Sequence, residues 1–308
     1  LHKIFKNIKI NILKMSSIAK DYLNIIVVIL FAFVISSAGA HNSIYSNGYP
    51  ILFLCMCASF LVHWIVFIPS YFAKTEKFYD ITGTVAYIAL LYIASKLTSV
   101  SFGDQLHIRS KIAIGLVLIW AIRLGVFLFI RVIKVGEDRR FREAKKSFSK
   151  YLLWWTMSAL WVFLTTANAL TLIINNTNIF NDLFFYFGMS IWCFGFLFEV
   201  IADEQKRKFN ANKNNKDHFI STGLWSISRH PNYFGEILIW IGMAIIAFPT
   251  LQGWQYVTLI SPIFIYFLLT RISGVNLLED RAEKKWGRND DYKKYKKEIP
   301  VLIPFIKR

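Results

Sequence analysis

Cysteine is scarce in this chain and poorly placed for crosslinking. Only 3 occur among 308 residues, Cys55, Cys57 and Cys193, and each lies inside an apolar block. Cys55 and Cys57 are two positions apart, so on a helix they point to nearly opposite faces. No disulfide framework or zinc site follows from them, and they read as small apolar filler. Acidic residues are also few, 19 against 36 Lys and Arg, which leaves a formal net charge of +17. No basic stretch is interleaved with exposed aromatics as a base-stacking surface requires, so nucleic acid is set aside as the partner of that charge. An internal repeat of the transporter kind is missing as well. So is a soluble domain: the largest piece outside the apolar blocks is the tail, residues 273–308.

What is present is apolar surface. The chain is 55% hydrophobic and 17% aromatic, and the apolar residues come in blocks of about 18–23, the thickness of a bilayer core. The expected fold is all-α, a polytopic membrane bundle of eight helices near 22–40, 51–70, 79–97, 111–133, 152–174, 182–202, 231–248 and 254–272. The connecting segments then sort by charge. Lys and Arg concentrate in 1–21, 71–78, 134–151, 203–230 and 273–308, whereas the alternate segments 41–50, 98–110, 175–181 and 249–253 carry only Arg109. By the positive-inside rule both termini face the cytoplasm, and the basic loops meet anionic lipid there. The chain opens on Leu1; either its start lies upstream or Met15 is the initiator. Five lysines among apolar residues make 1–21 a basic lead-in to a single membrane domain over 22–308. The sequon Asn175-Asn176-Thr177 falls in a short loop that hugs the membrane, a poor setting for glycosylation.

Ionisable residues near membrane depth are costly and tend to be functional. Arg229, His230, Asn232, Tyr233 and Glu236 crowd the start of the seventh span. Pro231 suits a first helical turn, so Arg229 and His230 stand among free backbone N–H groups, a setting for phosphate. A snorkelled interfacial cluster is the plainer alternative. Glu199 and Asp203 share a helical face at the end of the sixth span, followed by Lys206; they form either a ligand wall or a hydrated helix end. Arg123 lies mid-span, as a structural ion pair or a ligand group, and Arg271 ends the eighth span. His63 reads as a hydrogen-bonded packing residue and Lys96 as a snorkelling one. In the tail, Glu279, Trp286, Tyr292 and Tyr295 with their neighbouring lysines suit either an adenine ring and phosphate or an amphipathic helix on anionic lipid.

Three blocks carry a family resemblance. They are Phe78-Tyr79-Asp80-Ile81-Thr82-Gly83-Thr84 with Arg123-Leu124 and Gly136 to Phe141; Gly195 to Lys206; and Gly223-Leu224-Trp225 to Glu236, closed by Ser273-Gly274, Leu278-Glu279 and the tail. Over roughly residues 50–305 the chain resembles the steroid 5-alpha-reductase C-terminal superfamily, in its branch of membrane oxidoreductase-like proteins. Members related to that superfamily, the sterol reductases and the isoprenylcysteine carboxyl methyltransferases, carry Arg-His-Pro-Asn-Tyr elements that this one resembles.

The resemblance implies a membrane reductase that takes NADPH in the half from about 182 to 308 and reduces a carbon–carbon double bond of an apolar lipid or sterol-like substrate. It implies cofactor contacts at Glu199, Asp203, Arg229, His230, Asn232, Tyr233, Glu236 and Arg271; Lys206, Trp225, Glu279, Tyr292 and Tyr295 join them as candidates on their own chemistry, and Tyr233 is the candidate proton donor. The endoplasmic reticulum or another internal membrane is the expected location. One departure stands out. Relatives hold a substrate ketone with a Glu and a Tyr of the N-terminal half; here the Glu has no counterpart and Trp120 takes the Tyr position, so a steroid is not assumed. The other reading of the same pocket is an S-adenosylmethionine-dependent membrane methyltransferase.

Overall fold

The computed structural model describes residues 16–179, 182–272 and 274–306. The expected lead-in therefore lies outside them up to residue 15, as does Ser273 of the resemblance. Among the described residues, eight helical segments are long and apolar enough to cross a membrane, and this is an all-α, multi-pass integral membrane protein.

The helices are α1 (Ser17–Gly39), α2 (Ile51–Phe72), α3 (Tyr79–Ser101), α4 (Ile108–Val135), α5 (Phe148–Asn175), α6 (Leu183–Ala211) and α7 (Pro231–Ala247). They are followed by α8 (Ile260–Phe267), α9 (Val275–Trp286) and α10 (Asp290–Glu298). Between α1 and α2 a two-residue hairpin pairs Tyr45–Ser46 with Tyr49–Pro50, turned by Asn47 and Gly48 at positive φ. Side chains cap the starts of four helices: Ser16, Ser147, Asp182 and Asn289 accept from N–H groups of the first turns of α1, α5, α6 and α10.

The chain divides into two compact units, residues up to 178 with 250–258, and residues 179–249 with 259 onward. The first gathers α1 to α4 around α5, which is buried along most of its length. Its interior joins helices by hydrogen bonds that lipid cannot supply. Ser59 Oγ donates to Ala159 O at 2.8 Å, and Trp64 Nε1 donates to Thr156 Oγ1 at 3.1 Å. His63 is fully buried. Its Nδ1 donates to Ser59 O at 2.8 Å, which leaves Nε2 to accept from Ser158 Oγ at 3.1 Å. Ser158→Ala strands that nitrogen in a dry interior, so a thermal unfolding series in detergent is expected to read a loss of about 1–3 kcal/mol. An unchanged midpoint would show that the serine contact contributes nothing.

Trp120 is buried edge-on against Tyr87, ring centroids 5.3 Å apart. Arg123 sits over the Phe127 ring at 5.5 Å. Lys96 is exposed beside Asp104 at 3.5 Å, as a snorkelling lysine should be. The sequon asparagine is committed internally: Asn175 Nδ2 donates to Thr250 O and Gln255 Oε1, each at 2.7 Å.

Two helix boundaries differ from expectation. The sixth span, read as ending at 202, continues as α6 to Ala211. Its final turns are polar, held by charge pairs such as Arg207 on Glu204 at 2.6 and 2.7 Å, so the apolar pattern stopped where the helix did not. The eighth span, read as one helix over 254–272, is three pieces. A 3-10 turn over Gly253–Leu259, where Gly253 has φ +52, leads into α8 and then a π-turn over Leu268–Ile272.

Candidate active site at the head of α7

The second unit is built on a close approach of α6 and α7, and glycine makes it possible. A Cβ on Gly188 would fall 2.7 Å from Gly242 O, and one on Gly195 would fall 2.7 Å from Gly235 O. From the other side, a Cβ on Gly235 would meet Glu199 N at 2.7 Å and one on Gly242 would meet Trp192 N at 2.6 Å. The glycines are spaced two turns apart on each helix and pair in antiparallel order, the small-residue packing that lets membrane helices touch backbone to backbone. This register sets buried Glu199 alongside the Gly235–Glu236 turn and carries Asp203, also buried, toward the head of α7.

Residues 212–230 return the chain to that head. Trp225 is 3% exposed and ties three segments together. Its Nε1 donates to Ala202 O of α6 at 3.0 Å, Lys206 Nζ lies over its ring at 4.2 Å, and its carbonyl accepts from Tyr295 Oη at 2.7 Å. Gly223, at φ +62, leaves room for Gln205, whose Oε1 accepts from Leu224 N at 2.9 Å. The tail closes over the same loop. Pro300 O accepts from Arg229 N at 2.9 Å, and Leu302 O accepts from Ser228 Oγ at 2.7 Å. Phe219 packs its ring against Trp286, Tyr292 and Tyr295, with centroids 6.0, 5.2 and 5.2 Å away.

The centre of this assembly is Glu279. One carboxylate oxygen accepts from Arg229 Nη1 at 2.5 Å and the other from His230 Nε2 at 2.8 Å. Arg229 and His230 side chains are 10% and 6% exposed. Tyr233 stacks on the His230 ring at 5.7 Å, nearly parallel. His230, at the N-cap position of α7, makes no capping hydrogen bond with its own side chain.

Two polar atoms here are buried without a hydrogen-bond partner among the described residues, Arg229 Nε and His230 Nδ1. Such atoms are rare and call for an explanation. Burial lowers the His230 pKa, and this outweighs the Glu279 carboxylate, which acts to raise it. The ring is therefore neutral, Nε2–H donates to Glu279, and Nδ1 is left as a buried acceptor. The arrangement presents one donor from a guanidinium and one acceptor from an imidazole. The tyrosines are likewise uncharged: burial pushes the Tyr292 and Tyr295 phenols up.

The neutrality of His230 sets a pH dependence. Its ordinary value is 6.5 and the folded value lies below it, so the unfolded chain takes up the proton first. Stability from this residue is full above pH about 6.5 and declines as pH falls toward the folded value, at no more than about 1.4 kcal/mol per pH unit. Unfolding midpoints across pH 5–8 for the wild type and His230→Gln are expected to differ in slope on the acid side. Parallel curves would contradict a neutral, buried ring.

Of the residues singled out in the sequence, the structure brings together Glu279, Arg229, His230 and Tyr233, and joins Trp225, Lys206, Tyr292 and Tyr295 around the loop. Asn232 is half-buried in the first turn of α7, and Glu236 is buried one turn on. Arg271 is exposed on the π-turn, and none of the cluster's hydrogen bonds or ring contacts involves it. Gln205, Ser228 and Phe219 were not foreseen. Gln205 and Ser228 sit inside blocks quoted for the resemblance; Phe219 gave no signal.

Fold and site define a multi-pass membrane protein with a polar recess at one helix start. The family model described as "Protein of unknown function (DUF1295)" matches residues 66–299, and the chain belongs to that family and, with it, to the steroid 5-alpha-reductase superfamily. Similarity extends to a curated protein from Bos taurus, 3-oxo-5-alpha-steroid 4-dehydrogenase 1, which is 25% identical over 124 residues, 40% of this chain. The chain spans 42% of the length of that relative. No solved structure matches.

Proposed function

We propose that the chain is an integral membrane oxidoreductase that takes NADPH and delivers a hydride to a carbon–carbon double bond of an apolar, lipid or sterol-like substrate. The observation that carries this reading is the pair of buried, unpartnered atoms, Arg229 Nε and His230 Nδ1, fixed by Glu279 at the start of α7. A dinucleotide fits this donor set. Its phosphate accepts from the Arg229 N–H, and a ribose hydroxyl or carboxamide N–H satisfies the His230 acceptor. The bovine relative, named a steroid dehydrogenase, supports the same class of reaction.

Within that reading Glu199, Asp203, Asn232 and Glu236 are the polar groups nearest the α6–α7 contact and take the remaining hydroxyls and amides. Trp225, Tyr292 and Tyr295 wall the loop, Lys206 adds positive charge, and Arg271 joins the cofactor only if the π-turn moves. The nicotinamide supplies the hydride when bound. The protein's work is binding, orientation and exclusion of water, and Tyr233, beside His230, is the group assigned to give the proton. An apolar substrate reaches such a site from the bilayer.

The test is equilibrium binding by the purified protein in lipid nanodiscs, with NADPH in one arm and S-adenosylhomocysteine in the other. Saturable NADPH binding that falls at least tenfold in Arg229→Ala supports the reductase. Saturable S-adenosylhomocysteine binding without NADPH binding favours the methyltransferase instead.

A further inference from the structure

A second polar recess lies in the first unit and uses none of the residues assigned to the cofactor. The end of α2 and the loop before α5 border a half-open surface pocket of about 440 Å³ lined by Tyr71, Phe72, Lys74, Arg142, Lys145 and Lys146. Four of these six are cations. Lys145 is locked, with Nζ 2.5 Å from the buried Glu76 carboxylate, which also accepts from Asp138 N at 2.7 Å. Glu76 thereby holds the loop in place. The other cations are less committed. Arg142 pairs with Glu137 and Lys146 with Glu143, both at 2.7 Å but in solvent, with side chains 57% and 67% exposed. Such pairs are worth at most about 1 kcal/mol and exchange readily for a better anion. No carboxylate pairs with Lys74 among the described residues.

Phe72 of the pocket lining also ends an apolar track on α2. Leu61, Ile65, Ile68 and Phe72 recur at helical spacing on α2 and are 55, 64, 56 and 78% exposed. From Leu61 to Phe72 the helix rises eleven steps, roughly 16 Å at ~1.5 Å per residue, which is about one leaflet of a hydrocarbon core of ~30 Å. Tyr71 packs on Phe67 and Phe148 at the junction of track and pocket, 5.9 and 5.1 Å between centroids, where an aromatic residue suits the membrane interface.

We propose that this pocket and track are a binding site for one anionic phospholipid. Its phosphate sits among Lys74, Arg142 and Lys146, and one acyl chain lies along Leu61, Ile65, Ile68 and Phe72. A zwitterionic headgroup fits less well, because its own cation meets the same lysines.

Native mass spectrometry of the full chain, released from phosphatidylcholine membranes doped with phosphatidylglycerol, tests this. The wild type is expected to retain about one phosphatidylglycerol per chain. The triple variant Lys74→Ala, Arg142→Ala, Lys146→Ala is expected to retain at least tenfold less, with its unfolding midpoint in detergent unchanged because all three side chains are on the surface. Phe72→Ser, which leaves the loop intact, is expected to retain severalfold less and decides the matter if the triple variant does not fold. Three results overturn the proposal: equal retention by the variants, equal retention of phosphatidylcholine by the wild type, or full displacement of the lipid by millimolar inorganic phosphate. The last would make this a site for the free anion.

Discussion

Glu279→Ala is expected to lower NADPH affinity at least tenfold and to destabilise the second unit by about 3 kcal/mol. The carboxylate is the shared acceptor for Arg229 and His230. Removing it leaves a guanidinium that is only 10% exposed without its counter-charge, and breaking one partner of a largely buried pair costs about 3–5 kcal/mol, less some relief because Glu279 itself keeps contact with water. It also frees the imidazole to turn, so the Nδ1 acceptor is no longer aimed. Glu279→Gln keeps the shape and a carbonyl acceptor but drops the charge, and is expected to fall between wild type and Ala in both readouts. A cofactor titration and an unfolding curve on the same preparations check this. If Glu279→Ala binds NADPH like the wild type, the Arg229–His230 recess is not the cofactor site.

The second large effect is expected at the α6–α7 contact. Gly235→Val sets a Cβ 2.7 Å from both Gly195 O and Glu199 N, which are backbone atoms that cannot swing aside. The helices must separate, with the loss of packing along their length, and overpacking of this kind costs about 3 kcal/mol or more. Cofactor affinity should fall with it, since Glu199 and the Glu236 turn move apart. Gly115→Ala is the control: nothing lies within 4 Å of a Cβ there, so the change should stay within about 0.5 kcal/mol. An unfolding midpoint that moves equally in both variants would contradict the glycine register.

The eight spans were legible in the sequence because a bilayer imposes length and apolarity on each one. What escaped that rule was helix made of polar residues. The last turns of α6 beyond residue 202 carry Glu204, Arg207 and Lys208, which pair with each other rather than with lipid. The eighth span keeps an apolar average despite Gln255, Pro262 and Arg271, so hydropathy does not mark the passage from 3-10 turn to α8 to π-turn; Pro262, in the first turn of α8, is the local sign of it. The residues of the recess were legible as a list, since Arg229, His230 and Tyr233 are adjacent in the chain. Glu279 is legible too, as a candidate contact in the tail, but nothing in the sequence marks it as the acceptor that Arg229 and His230 share. Glu279 lies about fifty positions away, and its carboxylate changes the chemistry of the site from an open cationic cradle for phosphate to one donor and one acceptor. The glycines at 188, 195, 235 and 242 are visible in the sequence, but only the facing helix shows that they are the contact.

The direct test of the account is an NADPH titration of the purified protein in nanodiscs, followed by nicotinamide fluorescence, for the wild type and for Arg229→Ala with Asn232→Ala. One saturable site per chain is expected in the wild type, with at least a tenfold loss in a double variant that keeps its helical content. Unchanged affinity in the folded double variant, or no saturable NADPH binding by the wild type, contradicts it.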